Sequence, residues 1–92
     1  MSSSDTEREG QAPVAAWCDE ASLHVRLADG REISTPLWWY PPLLAATVEQ
    51  RNRIELSSYG VHWPDLDEDL SVEGMLKGRR YPNSVPPAVA AE

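Results

Sequence analysis

Apolar and polar positions alternate in two runs joined by one turn. In residues 22–27 (SLHVRL), Leu23, Val25 and Leu27 point one way, and Ser22, His24 and Arg26 the other. This is the signature of a half-buried strand. Residues 31–37 (REISTPL) alternate again, with Ile33, Thr35 and Leu37 on one side. Asp29-Gly30, between the runs, is a hairpin signal. A two-residue loop there would pair Val25 with Ser34 and Leu27 with Glu32, mixing the faces. A three-residue loop, Ala28-Asp29-Gly30, pairs Leu27 with Arg31, Val25 with Ile33 and Leu23 with Thr35. The apolar side chains then share a face, and Gly30 takes the left-handed position of a G1 bulge. That register is the expected one.

The other elements are shorter. Residues 14–18 (VAAWC) and 54–59 (IELSSY) read as strands, and residues 61–64 (VHWP) as extended chain ahead of a proline. Pro36 ends or edges its strand. If the chain stays extended past it, Trp38 and Trp39 point to opposite faces. One indole then enters the core, and a loop, the tail or a partner covers the other. Pro41-Pro42 suits a helix start. Thr47-Val48-Glu49-Gln50 matches a capping box, which predicts a helix ending at Ala46 and a second over 48–53. A single helix over 42–53 is the alternative. Ser71 is a candidate N-cap for a last helix over 72–77, closed by Gly78. The predicted fold is α+β: a small antiparallel sheet of three to four strands with short helices packed on one face.

Composition adds boundaries. Residues 1–12 and 81–92 lack an apolar pattern and read as disordered tails around a single domain at 13–80. The net charge is −7; within 13–80 eleven acids oppose seven bases, which leaves −4. Such a surface repels nucleic acid unless a local basic patch overrides it. The candidate patches are Arg51 with Arg53, and Lys77 with Arg79 and Arg80. Cys18 is the lone cysteine, which excludes an intramolecular disulfide and fits a cytoplasmic protein. No apolar run is long enough for a membrane helix, and no secretory signal is visible.

Candidate chemistry is sparse. Asp65, Asp67 and Asp69 match the first spacings of a calcium loop, but Leu70 stands where that loop needs glycine and Leu76 where it needs glutamate. The 65–69 stretch therefore reads as a solvated acidic turn. His62 has a pKa suited to general base work, yet no serine, cysteine or second histidine lies at a relay spacing. His24 sits on the polar face of its strand. Trp38, Trp39, Tyr40 and Trp63 read as packing groups or as a protein-binding patch, since indoles and phenols are enriched at hot spots. No phosphate-cradling glycine loop occurs.

At Asp29-Gly30-Arg31, at Pro36 through Pro41 (PLWWYP), at 47–51 and above all at the block GVHWPDLDEDLSVEGML, the chain resembles the bacterial domain-of-unknown-function family DUF2442. The resemblance covers residues 23–78. Val48 departs from it, standing where proline is frequent, as does Trp39-Tyr40, where a tryptophan-phenylalanine pair is usual. The resemblance implies a small α+β domain. Some members are fused to a helix-turn-helix, or encoded beside a small partner in what look like toxin–antitoxin modules. It supplies no catalytic residue.

The expected function is a small acidic protein-interaction module, antitoxin-like or regulatory, in a two-protein bacterial system, with no enzymatic activity and no cofactor. Its partner would be a small basic toxin-like protein, met through Trp38, Trp39, Tyr40, His62, Trp63, Asp65, Asp67, Glu68 and Asp69. Direct nucleic-acid and membrane contacts are not expected; self-association is the other partner reading. Two alternatives are a metal-dependent enzyme using His62 with the 65–69 turn, and a regulator reaching DNA through a DNA-binding partner.

Overall fold

The computed structural model of the chain describes residues 11–82 and 84–86. Its fold is α+β: two antiparallel three-stranded sheets with a few short helices. The first sheet comprises β1 (Pro13–Cys18), β2 (Ser22–Leu27) and β3 (Glu32–Pro36), in that order. A 3₁₀ turn over Leu37–Trp39 leads to α1 (Pro41–Leu44) and α2 (Val48–Arg51). The second sheet comprises β4 (Glu55–Leu56), β5 (Gly60–Trp63) and β6 (Glu68–Ser71), and α3 (Val72–Leu76) follows it directly. Residues 1–10 and 87–92, most of the two expected tails, lie outside the described residues.

The first hairpin has the expected register. Val25 faces Ile33 and Leu23 faces Thr35, while the Leu27 amide donates to the Arg31 carbonyl. Gly30 sits at φ 98°, a conformation that spares only a residue without Cβ. β1 pairs on the other side of β2 with an irregularity between Pro13 and Ala15, which turns Val14 out to solvent.

Helix boundaries also follow local chemistry. Thr47 and Gln50 form a complete capping box, so the chain breaks at Thr47 and α2 starts anew. Ser71 Oγ accepts from the Gly74 amide at the start of α3. At its end the Gly78 amide donates to Met75 and the Arg79 amide to Gly74, with Gly78 at φ 78°. This is a Schellman closure.

Three expectations change. The predicted strand over 54–59 shrinks to two residues, with Leu56 exposed. The acidic turn at 65–69 is not one turn, because Glu68 and Asp69 begin β6 and pair with Trp63 and His62. The strands form two sheets because β4 pairs with β5 rather than with the first sheet. The chain is also not extended at Trp38 and Trp39. The 3₁₀ turn leaves both indoles half-buried and edge-on to each other, 6.4 Å apart.

The core gathers Leu23, Val25 and Leu27 from the first sheet and Val61 and Trp63 from the second. Leu37, Tyr40, Leu43, Val72 and Met75 complete it. Thr35 is the buried polar residue, and Tyr40 Oη donates to its hydroxyl at 3.0 Å. Such a bond nets about 1 kcal/mol, but leaving the hydroxyl unpaired would cost more. Tyr81, first residue of the expected C-terminal tail, packs against this core, and its amide donates to the Trp39 carbonyl.

Candidate functional site

The residues proposed for partner contact divide into buried and surface sets. Trp63 is 0% exposed and Tyr40 1%, so both serve the core rather than the surface. Burial raises the Tyr40 phenol above its ordinary pKa, with the Thr35 hydrogen bond working against it. The Trp63 indole Nε1 donates to the Arg51 carbonyl at 2.8 Å. Trp39 packs against the core and lies edge-on to Tyr40. Trp38 is covered on one face by the Arg80 guanidinium, 5.3 Å from the ring centroid.

The surface set lies on the outward face of the second sheet. Val61 and Trp63 point inward, so His62 points out, with Glu55 opposite it on β4 and Asp69 opposite it on β6. Asp69 accepts from His62 Nδ1 at 2.7 Å. Asp67 stands at the tip of the β5–β6 connection with φ 52°, a left-handed conformation that aspartate tolerates better than most residues. Its carboxylate has no side-chain partner among the described residues. Asp65 pairs with Arg53 at 3.1 Å, and Glu68 accepts from the Tyr81 hydroxyl. Desolvation, and then Glu68, push that phenol up to about 12.

The hydrogen bond to Asp69 is the main cause that raises the His62 pKa; the Asp69 and Glu55 charges add to it. A raised folded-state pKa means that this pair stabilises the fold fully below the unfolded histidine value. The contribution is lost as pH rises through the folded value. In an NMR titration, the His62 midpoint is expected to drop in Asp69→Asn; an unchanged midpoint would show that the pair does not hold in solution.

The metal reading of this region meets unfavourable geometry. Asp65 turns to Arg53 and Asp69 to His62, and among the described residues no three His, Cys, Asp or Glu side chains converge on a metal position. Cys18 is no better placed as a nucleophile. Burial raises its thiol to about 11, and the sulfur lies 3.7 Å from the Arg51 carbonyl.

A second polar cluster went unseen in the sequence. On the outward face of the first sheet, Ser34 Oγ lies 2.7 Å from His24 Nδ1, and Asp19 Oδ2 lies 2.7 Å from His24 Nε2. A carboxylate only accepts, so Nε2 carries a proton; with the ring neutral, Ser34 donates to Nδ1. This is a relay order despite the lack of any relay spacing, because Ser34 faces His24 across the β2–β3 ladder. The His24 bond, with the Ala21 and Ser22 amides, lowers Asp19 to about 2. Trp17 stacks on His24 at 5.5 Å, and Arg26 lies over Trp17. The order suits an activated serine, but none of the four main grooves is lined by Ser34 or His24. The cluster acts as a polar brace between β2, β3 and the β1–β2 turn.

Arg51 also has a role the sequence concealed. Its Nε and Nη2 donate to the Leu43 and Leu44 carbonyls at 2.8 Å each, satisfying the last turn of α1. With Arg53 on Asp65, the first candidate basic patch is consumed within the fold. The second is not: among the described residues, Lys77 alone of its three cations forms an ion pair, with Glu73 at 2.9 Å.

Among solved structures, the chain is similar to a protein of unknown function from Rhodospirillum rubrum ATCC 11170. The two are 29% identical with a TM-score of 0.69, and the match covers 78% of this chain and 92% of that one. It is also similar to an uncharacterized protein from Chromobacterium violaceum, 30% identical with a TM-score of 0.72, covering 87% of this chain and 77% of that one. No curated protein matches it. The family model described as protein of unknown function (DUF2442) matches residues 13–81, and the chain belongs to that family.

Proposed function

We propose that this chain is a non-enzymatic, cytoplasmic protein-interaction module, the antitoxin-like or regulatory member of a two-protein bacterial system. The observation that carries this reading is the outward face of β4–β6. It sets Glu55 and Asp69 on either side of His62, with the Asp67 carboxylate unpartnered among the described residues at the tip. These carboxylates attract a small basic protein by charge complementarity, which speeds encounter and sets orientation. Half-buried Trp38 supplies an apolar contact beyond them.

The test is capture of a tagged chain from its host lysate, followed by calorimetry with the purified partner. A small basic protein bound at one-to-one stoichiometry is expected. Asp67→Asn with Asp69→Asn should weaken binding about tenfold and flatten its salt dependence. Equal affinity in that variant, with the fold intact, would remove this face from the interaction.

A further inference from the structure

Seven basic side chains lie between residues 13 and 80. Five are engaged: Arg26 with Glu32, Arg31 with Asp29, Arg53 with Asp65, Lys77 with Glu73, and Arg51 with two carbonyls. The guanidinium groups of Arg79 and Arg80 have neither an ion pair nor a hydrogen bond among the described residues. In a chain with almost twice as many acids as bases, the two cations left unpaired among the described residues are neighbours.

Both are held in place. The Arg79 amide closes the α3 Schellman motif on the Gly74 carbonyl. Its stem crosses Gly74, where even an added Cβ would lie 3.6 Å from the arginine Cδ. The Arg80 guanidinium lies over the Trp38 ring, 5.3 Å from its centroid. A guanidinium over an indole keeps its charge and can take a carboxylate through two parallel bonds.

Beside them runs a shallow groove of about 330 Å³, lined by Tyr40, Leu70, Arg79, Arg80, Tyr81 and Pro82 among others. One wall is β6, the edge strand of its sheet, which pairs only with β5. Glu68 and Asp69 also line it, Glu68 accepting from the Tyr81 hydroxyl and Asp69 from His62.

We propose that this groove receives an extended, carboxylate-bearing segment of a protein partner. The segment's backbone adds to the free edge of β6, and its acidic side chains are taken by Arg79 and Arg80. The edge strand selects an extended peptide, and the two unpaired guanidinium groups select acidic over basic sequence. Nucleic acid has no peptide backbone to add to that strand edge. The acid-binding groups, Arg79 and Arg80, are not part of the Asp67 face, so substituting them tests this proposal separately.

The test is an NMR titration of the ¹⁵N-labelled full chain with a blocked hexapeptide of alternating Asp and Val. A Lys-Val hexapeptide and an oligothymidylate run in parallel. Saturable shifts are expected at the Arg79 and Arg80 Nε, the Trp38 indole N–H and the Asp69 amide, with the acidic peptide alone. Arg79→Gln with Arg80→Gln should weaken that binding about tenfold while the rest of the spectrum keeps its folded dispersion. Lys at both positions keeps the charge but loses the fork, and should fall in between. Absence of saturable shifts, or shifts unchanged in the Gln variant, overturns the proposal. So does tighter oligothymidylate binding at the same residues, which would assign the groove to nucleic acid. Groove shifts on diluting the protein alone would assign it to a second copy of this chain and overturn it too.

Discussion

Trp63→Ala is expected to lower the stability of the domain by about 3–5 kcal/mol, the usual cost of removing a buried tryptophan. Trp63 is 0% exposed and sits where β5 meets the end of α2. Removing it opens a cavity between the sheets and leaves the Arg51 carbonyl with only the weak Cys18 thiol donor. Small domains hold only about 5–15 kcal/mol in total, so most of the reserve would go. Trp63→Phe separates the two contributions. It refills most of the volume but leaves that carbonyl without its indole donor, for a cost of about 1–3 kcal/mol. Urea denaturation followed by far-ultraviolet circular dichroism measures both. An alanine variant with the wild-type midpoint would mean that Trp63 is not in the core.

Gly60→Ala is expected to cost about 1–3 kcal/mol through overpacking, and to loosen β6 first. A Cβ at this position would lie 2.4 Å from the Leu70 carbonyl oxygen and 3.2 Å from the Ser71 Cα. Both are backbone atoms of the facing strand, so no rotamer change relieves the clash and the β5–β6 ladder must part. Gly30→Ala makes a useful contrast. Nothing lies within 4 Å of its added Cβ, and only φ 98° resists the substitution, at about 1–2 kcal/mol. Hydrogen exchange distinguishes the two. The Leu70 amide, opposite Val61 in the ladder, should lose protection in Gly60→Ala and keep it in Gly30→Ala. Retained β6 protection in Gly60→Ala would contradict the close approach.

His62 and Asp69 would be affected by the same change. Asp69 sits opposite His62 only while β6 pairs with β5. The acidic face proposed for partner contact and the edge strand of the arginine groove therefore depend on one short hairpin, and Gly60→Ala should weaken both interactions together.

What the sequence by itself determined is what a few neighbouring residues decide. The alternation around Asp29-Gly30 selects one hairpin register, because the other mixes the faces. Thr47 with Gln50, and Ser71 with Gly78, set helix ends through bonds that span three or four residues. The long block around Val61 to Leu76 was enough to point to the family.

The tertiary structure alone decided matters that depend on partners distant in the chain. β6 was hidden because its inward positions are Glu68 and Leu70. A glutamate reads as solvent-facing until the Tyr81 hydroxyl, thirteen residues on, appears beside it. Tyr40 and Trp63 read equally well as a binding patch or a core, and only the packing of two sheets buried them. The His24 relay needs Ser34 across a ladder and Asp19 across a turn. Pairing also changed the meaning of the charges. Arg51 and Arg53 were spent inside the fold, while Arg79 and Arg80 were left free beside an open strand edge. A sequence records which charges exist, but which of them remain available is a long-range property that exists only once the chain has folded.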